Sequence, residues 1–135
     1  MIFCRNLTRQ SVDLLKWQKL SQLFLNEQGG QGEVSLVVVG DQRMRNLNRQ
    51  YRQQDKVTDV LSFVATDVGQ LGEVIIDYQQ IIRQAKRFGN SVWQEFIFIT
   101  THGLLHLLGH DDNDQLGWQT MEKISQNFID NHQIC

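Results

Sequence analysis

Apolar residues follow two alternating patterns along the chain. Short continuous runs rich in β-branched residues predict strands, and longer segments with apolar residues at helical spacing predict helices. The run from Val34 to Val39 is apolar on both faces, as in a strand at the centre of a sheet. The predicted strands are Ile2 to Cys4, Val34 to Val39, Val60 to Ala65 and Val74 to Asp77.

Five helices are predicted between and after these strands, and capping residues set their limits. Asp77 and Ser91 are each followed three residues later by Gln, which is the spacing of a capping box. Asp41 is the predicted N-cap of the second helix, and Gly109 is the predicted left-handed residue after the fourth. The predicted helices cover about residues 12–28, 42–51, 78–88, 92–108 and 115–129.

The interspersed strands and helices, with no internal repeat, indicate the fold class. They predict a single α+β or α/β domain over residues 1–135, in which helices pack on one mixed layer of four strands. At this length one hydrophobic core is expected to serve the whole chain. The pattern does not give the order of the strands.

The fourth predicted helix is apolar nearly all round, so it belongs in the core, yet it carries two histidines. His102 and His106 are four residues apart, which places both imidazoles on one helix face, where they can bind one zinc ion. The alternative is a pair of core histidines that hydrogen-bond to backbone carbonyls. Gly103 costs about 1 kcal/mol relative to Ala inside a helix, and room for a substrate beside the metal would explain it.

A catalytic zinc site needs a third protein ligand and an open position for water. The histidine spacing is also that of zinc metalloproteases, in which a Glu follows the first His as general base. Gly103 stands at that position here, so proteolysis is not favoured. The candidates for the third ligand follow the Gly109 turn at once and are His110, Asp111, Asp112 and Asp114.

Composition narrows the class of protein only a little. The chain is 41% apolar and 21% charged, which is ordinary for a globular domain. It contains no apolar tract of the roughly 20 residues that a membrane span needs. The first residues contain no secretory signal, so we expect a cytoplasmic protein without membrane contact. Cys4 and Cys135 are expected to be free thiols.

The net charge of −2 gives no global attraction to nucleic acid, so any RNA contact must be local. Such a patch lies between Arg43 and Lys56, where five basic side chains and one acidic give a formal charge of +4. Arg45, Arg49 and Arg52 share one helix face, where a phosphate backbone could lie. The alternative is a solvated helix face, and we favour this alternative for the smaller basic group on the third helix.

Three separate segments of the chain carry a family resemblance. Residues 102–109 match the pattern H-G-x-L-H-L-x-G, Tyr51-Arg52 leads into Thr-Asp-Val-Leu-Ser-Phe at 58–63, and Leu-Gly-Glu-Val-Ile-Ile follows at 71–76. In order and spacing the chain resembles the YbeY family of bacterial endoribonucleases and rRNA maturation factors. The resemblance implies a mixed four-stranded sheet flanked by helices, with a buried metal-binding helix.

The resemblance also implies an activity and its partners. A member of this family is expected to be a zinc-dependent endoribonuclease specific for single strands. It would act in maturation of the 3' end of small-subunit rRNA and in ribosome quality control. The implied partners are single-stranded RNA, rRNA and the small ribosomal subunit, whereas DNA is not expected.

The implied zinc ligands are His102, His106 and Asp112, which would hold one Zn²⁺ per chain. The family has a third His where this chain has Asp112, so a carboxylate would replace an imidazole. His110 is the competing third ligand. The chain also has no proline, and Val57 and Val64 stand where the family usually has prolines. This difference removes fixed backbone angles but no catalytic group.

The remaining roles are assigned from the same resemblance. Arg52 matches the family's functional arginine, which would neutralise charge on the phosphate beside the metal on His102. Arg45, Arg49, Thr58 and Ser62 are expected to bind substrate. The attacking group is either water or the 2'-hydroxyl of the RNA. The rival hypotheses are a non-catalytic ribosome-assembly factor with structural zinc and, less favoured because of the basic helix, a small-molecule hydrolase.

Overall fold

One four-stranded sheet with five helices around it accounts for all the regular structure of the chain. The computed structural model covers all 135 residues, Met1 to Cys135. Its strands are β1 (Ile2–Asn6), β2 (Glu33–Val39), β3 (Val60–Val64) and β4 (Gln70–Asp77). Its helices are α1 (Leu14–Glu27), α2 (Asp41–Arg52), α3 (Tyr78–Phe88), α4 (Val92–Leu107) and α5 (Gln115–Asn131).

The sheet is mixed, as predicted, and its strand order is β1-β2-β4-β3. The strands β1, β2 and β4 are parallel, and β3 is an edge strand that runs antiparallel to β4, with Val60 opposite Ile76. The α+β class with a four-stranded mixed sheet is therefore confirmed. No helix of the chain is both long and apolar enough to cross a membrane.

Side chains of β2 alternate between two apolar clusters on the two faces of the sheet. Val34, Leu36 and Val38 join the larger cluster, which also receives α1, α4 and α5. Val37 and Val39 join the smaller one, under α2. Ten residues of α4 are buried, so the prediction that this helix lies in the core is confirmed.

Most helix ends lie where the capping residues predict them. Asp77 accepts hydrogen bonds from the backbone N–H groups of residues 79 and 80, and Ser91 accepts one from residue 94. Gly109 has φ +95°, the left-handed conformation expected after α4. One prediction is wrong: Asp41 is the first helical residue and Gly40 is the N-cap. The Asp41 carboxylate instead accepts two hydrogen bonds from Arg83, at 2.7 and 3.0 Å.

Gly103 does not leave room for a substrate, contrary to the expectation from sequence. A Cβ at this position would lie 2.5 Å from Cγ1 of Val74 and 3.3 Å from Cγ2 of Val60. The glycine thus faces the sheet and lets α4 approach it closely, and its carbonyl accepts a hydrogen bond from Ser62 at 3.1 Å. A glutamate general base has no space here, so the metalloprotease reading fails on geometry as well.

A pair of carboxyl groups marks the end of β4. Asp77 is fully buried, and its Oδ2 faces no N–H donor. Burial and a hydrogen bond with the Asp41 carboxyl raise the pKa of Asp77 to about 7. The hydrogen bonds from Arg83 and Asp77 lower the pKa of Asp41 to about 2. Below about pH 7 this pair therefore shares a proton that Asp77 contributes.

Candidate active site

A cleft opens between α4, the loop that follows it, the first half of α5 and the start of β3. It has two lobes of about 350 and 340 Å³, which share Asp59, Val60, His106 and Asp112. The polar lobe is also lined by Arg52, Thr58, Ser62 and Val64. The aromatic lobe takes its name from Phe88, Phe98 and Trp118 and also contains His102.

The packing around His102 engages one ring nitrogen and leaves the other without a protein partner. Its Nδ1 lies 3.3 Å from the carbonyl oxygen of Phe98 and 3.1 Å from the hydroxyl of Ser125. Both oxygens can accept a hydrogen bond, which favours the tautomer with the proton on Nδ1 and the lone pair on Nε2. Burial lowers the pKa of His102, so the ring is neutral at pH 7. A metal ligand needs this state.

His106 and Asp112 meet in the part of the cleft that both lobes share. Nε2 of His106 is 3.4 Å from Oδ2 of Asp112, and each side chain is about one-third exposed, at 31% and 39%. Two imidazoles and one carboxylate are a donor set that suits catalytic zinc. No three His, Cys, Asp or Glu side chains already lie at the mutual distances of a metal centre, so zinc binding requires these three to draw together.

His110, the competing third ligand, lines neither lobe. Its backbone N–H donates to the carbonyl of Leu105 at 3.0 Å, within the turn that Gly109 makes possible. The chain passes His110 before it returns to the cleft at Asp112. This placement supports Asp112 over His110 as the third donor.

Arg52 is the only arginine or lysine of the polar lobe. It is the last residue of α2, exposed, and it makes no salt bridge. Its guanidinium is therefore free to bind an anion opposite His106 and Asp112. Thr58 lies in the same lobe, whereas the hydroxyl of Ser62 already donates to the backbone of α4.

Arg45 and Arg49 lie outside the cleft. Arg45 makes a two-point ion pair with Asp55, at 2.8 and 3.1 Å, and Arg49 is 3.7 Å from the same carboxylate. All three side chains are more than half exposed, so water and salt screen these pairs. The predicted basic face thus exists, but the structure brings only Arg52 to the metal-ligand candidates.

Sequence reasoning overlooked several residues of the cleft. Asp59 lines both lobes, and its carbonyl accepts a hydrogen bond from the N–H of Asp77 at 2.9 Å. Its place between Thr58 and the start of a strand was a usable signal. Glu122 and Ser125 are on α5, and nothing in their local sequence indicates contact with α4.

Comparisons with known proteins agree on one family. The family model described as Endoribonuclease YbeY matches residues 4–133. A relative from Carboxydothermus hydrogenoformans named Endoribonuclease YbeY is 46% identical over 110 residues, which cover 79% of this chain and 77% of the relative. One of the same name from Synechococcus is 38% identical over 124 residues, covering 82% and 76%.

A solved structure resembles the fold as a whole. The solution structure of a Thermotoga maritima protein superposes with a TM-score of 0.71 and covers 98% of this chain and 92% of that one. The sequence identity is 24%, so this likeness supports the fold alone.

Proposed function

The chain belongs to the YbeY family of endoribonucleases, and from this premise we propose that it is a zinc-dependent hydrolase that cuts single-stranded RNA. One observation supports the proposal most strongly. The cleft holds two helical imidazoles and a carboxylate on one side and the free guanidinium of Arg52 on the other. A metal-ligand set beside an anion-binding group suits a phosphodiester substrate.

His102, His106 and Asp112 would hold the zinc ion. When bound, zinc supplies a Lewis acid that polarises oxygen at the reacting phosphate. The Ser125 hydroxyl and the Phe98 carbonyl keep the proton of His102 on Nδ1, so its other nitrogen is available to the metal. His102 would therefore act in catalysis through the ion that it would hold.

The polar lobe would receive the phosphate. Arg52 neutralises charge that develops on the phosphoryl oxygens, and the Thr58 hydroxyl, which the fold does not use, can donate a hydrogen bond to the same group. Ser62 lies close but mainly positions α4. Arg45 and Arg49 would contact the RNA backbone beyond the cleft, where phosphates would replace Asp55 as their ion-pair partner.

The biological substrate that we propose is rRNA on the small ribosomal subunit, at the 3' end of the small-subunit rRNA. This proposal, with the role in ribosome quality control and the cytoplasmic location, rests on the family and not on the cleft. Co-sedimentation of the protein with small subunits would test binding to the subunit. Mapping of rRNA ends in cells depleted of the protein would test cleavage at the 3' end.

A structural role for the zinc is the rival proposal. Structural zinc usually has four protein ligands, often cysteines. Neither Cys4 nor Cys135 lines the cleft. Three donors leave a coordination position for water or substrate, which favours the enzyme.

The substrate class can be tested with one sequence in three forms. Zinc-loaded protein should cut the single-stranded RNA and leave both its duplex and the single-stranded DNA of the same sequence intact. The product ends then identify the attacking group, because a 2',3'-cyclic phosphate forms only by attack of the 2'-hydroxyl. Equal cutting of the DNA would refute RNA as the specific substrate.

A further inference from the structure

We propose that the aromatic lobe is a subsite for one unpaired nucleobase, adjacent to the phosphate in the polar lobe, and that it prefers adenine and cytosine to uracil. This inference rests on the proposed ribonuclease function and extends it to base recognition. Three features of the lobe carry it: its exposed rings, its charge and one free carboxylate.

The rings come from three different helices. Phe88 ends α3 and is 60% exposed, and Trp118, near the start of α5, is 48% exposed. Phe98 lies deeper in the lobe, with its ring centroid 4.7 Å from that of His102. Aromatic side chains that are exposed beside a cavity provide a surface on which any nucleobase can stack.

The charges of the lobe favour a base over a phosphate. None of the twelve residues that line it is Lys or Arg, and three are the carboxylic acids Asp59, Glu95 and Glu122, in addition to Asp112. A second phosphate would be repelled here, whereas the polar lobe offers Arg52. Because the lobes share His106 and Asp112, a phosphate in one and a base in the other would lie on either side of the ligand candidates.

Glu122 is the group that can distinguish one base from another by hydrogen bonding. Glu95 is only 4% exposed, and its two oxygens already accept hydrogen bonds from Gln84 and Asn90, at 3.2 and 3.4 Å. Glu122 is half-buried, lines the same lobe and makes no salt bridge. Its oxygens are therefore free to accept hydrogen bonds from a ligand.

A free carboxylate selects among bases. Adenine and cytosine present an exocyclic amino donor at the position where uracil presents a carbonyl oxygen. At this position of the base a carboxylate accepts from the amino group and repels the carbonyl oxygen, so adenine and cytosine should bind better than uracil. In a duplex these edges are already paired, which fits a preference for single strands.

The test compares binding of short RNA oligomers of adenosine, of uridine and of abasic ribose phosphate. Binding is read by fluorescence anisotropy on the zinc-loaded protein before cleavage proceeds. The wild type should bind the adenosine oligomer at least about tenfold tighter than the abasic one, which is the size of a single stacked base. It should also bind adenosine more tightly than uridine.

Four variants separate the parts of the subsite. Trp118→Ala and Phe88→Ala should each weaken binding of the adenosine oligomer about tenfold and leave the abasic oligomer unaffected. Phe88→Tyr, which keeps the ring, should bind like the wild type. Glu122→Gln should keep the stacking gain but reduce the preference for adenosine over uridine, because the amide also offers a donor to the uracil carbonyl.

Leu116→Ala is the matched control for Trp118→Ala. Leu116 is 75% exposed, lies on the same turn of α5 and lines neither lobe. Because about half or more of each of Phe88 and Trp118 is exposed, their truncation should leave the thermal midpoint close to that of the control. A change in base discrimination at an unchanged midpoint is thus a binding effect and not a folding effect.

Failure of the subsite and failure of the proposed function look different. A wild type that cuts RNA but binds abasic and adenosine oligomers equally, or aromatic variants that bind like Leu116→Ala, would overturn the subsite and leave the function standing. If the wild type cuts no RNA but binds the adenosine oligomer more tightly than Trp118→Ala does, the proposed function fails and the subsite stands.

Discussion

The hydroxyl of Ser125 in α5 lies 3.1 Å from Nδ1 of His102 in α4, so the last helix of the chain orients a proposed zinc ligand. Ser125 is fully buried, and its oxygen also accepts a hydrogen bond from Thr101 at 2.8 Å. Partners of this kind fix the ring orientation and tautomer of a ligand histidine. The two helices that frame the cleft are thereby linked at the site itself.

Ser125→Ala should weaken zinc binding about tenfold, the low end of the range for such partners, because the Phe98 carbonyl remains 3.3 Å from Nδ1. Competition with a chelator measures the loss. Ser21→Ala is the matched control, since Ser21 is 2% exposed and its hydroxyl has no partner. Equal zinc affinity in the two variants would show that Ser125 does not position the ligand.

Asp112→Ala should release zinc about as readily as loss of either helical imidazole, whereas His110→Ala should have a much smaller effect. The reason is placement: Asp112 lies 3.4 Å from His106 in the cleft, and His110 lines neither lobe. Asp112→His should hold zinc more firmly against a chelator. The opposite order of the two alanine variants, in one titration, would make His110 the ligand.

Arg52→Ala should reduce cleavage of single-stranded RNA at least about tenfold while zinc content stays at the wild-type level, because it removes only charge stabilisation. Arg43→Ala removes the same charge from the same helix but lies on a separate cavity with Leu7 and Gly40. It should retain most of the activity. Similar rates for the two variants would reduce Arg52 to a general contributor to surface charge.

The carboxyl pair at the end of β4 should make stability fall as pH rises. Asp77 has its pKa raised from 3.8 to about 7, so its contribution is complete below about 4 and is lost as pH rises through 7. The pKa of Asp41 is lowered to about 2, so its contribution is lost only as pH falls below about 4. Between these limits Asp77 alone sets the slope of the pair.

Asp77→Asn should remove that slope. An asparagine still caps α3, and its amide can donate to Asp41 as the protonated acid does. Free energies of unfolding in urea, measured at pH 5 and pH 8, should differ less in the variant than in the wild type. The variant should also be the more stable protein at pH 8. An unchanged difference between the two pH values would refute the shared proton.

The sequence predicted the elements well because their signals are local. The caps at Asp77 and Ser91, the left-handed Gly109 and the all-round apolar α4 each depend on a few neighbouring residues. The prediction that Asp41 is an N-cap was wrong because its carboxylate instead binds Arg83, which is forty-two positions away in the sequence. Strand order likewise depends on contacts between segments far apart in the chain.

The site was predictable only in part, for the same reason. The His102 and His106 pair and Arg52 belong to recognisable motifs, and the structure brings them to one cleft. The prediction for Gly103 was wrong because a glycine is needed there by the close approach of Val74, and no local pattern shows this contact between helix and sheet. Glu122 and Ser125 were not predicted as site residues because only the packing of α5 on α4 brings them to the cleft and to His102.

The most direct test of the account is a zinc titration of metal-free protein in which bound zinc and RNA cleavage are measured on the same samples. We expect cleavage to rise in proportion to occupancy and to level off at one zinc per chain. His106→Ala should gain neither bound zinc nor activity. Full cleavage by metal-free protein, or one tightly bound zinc per chain with no cleavage of single-stranded RNA, would contradict a zinc-dependent endoribonuclease.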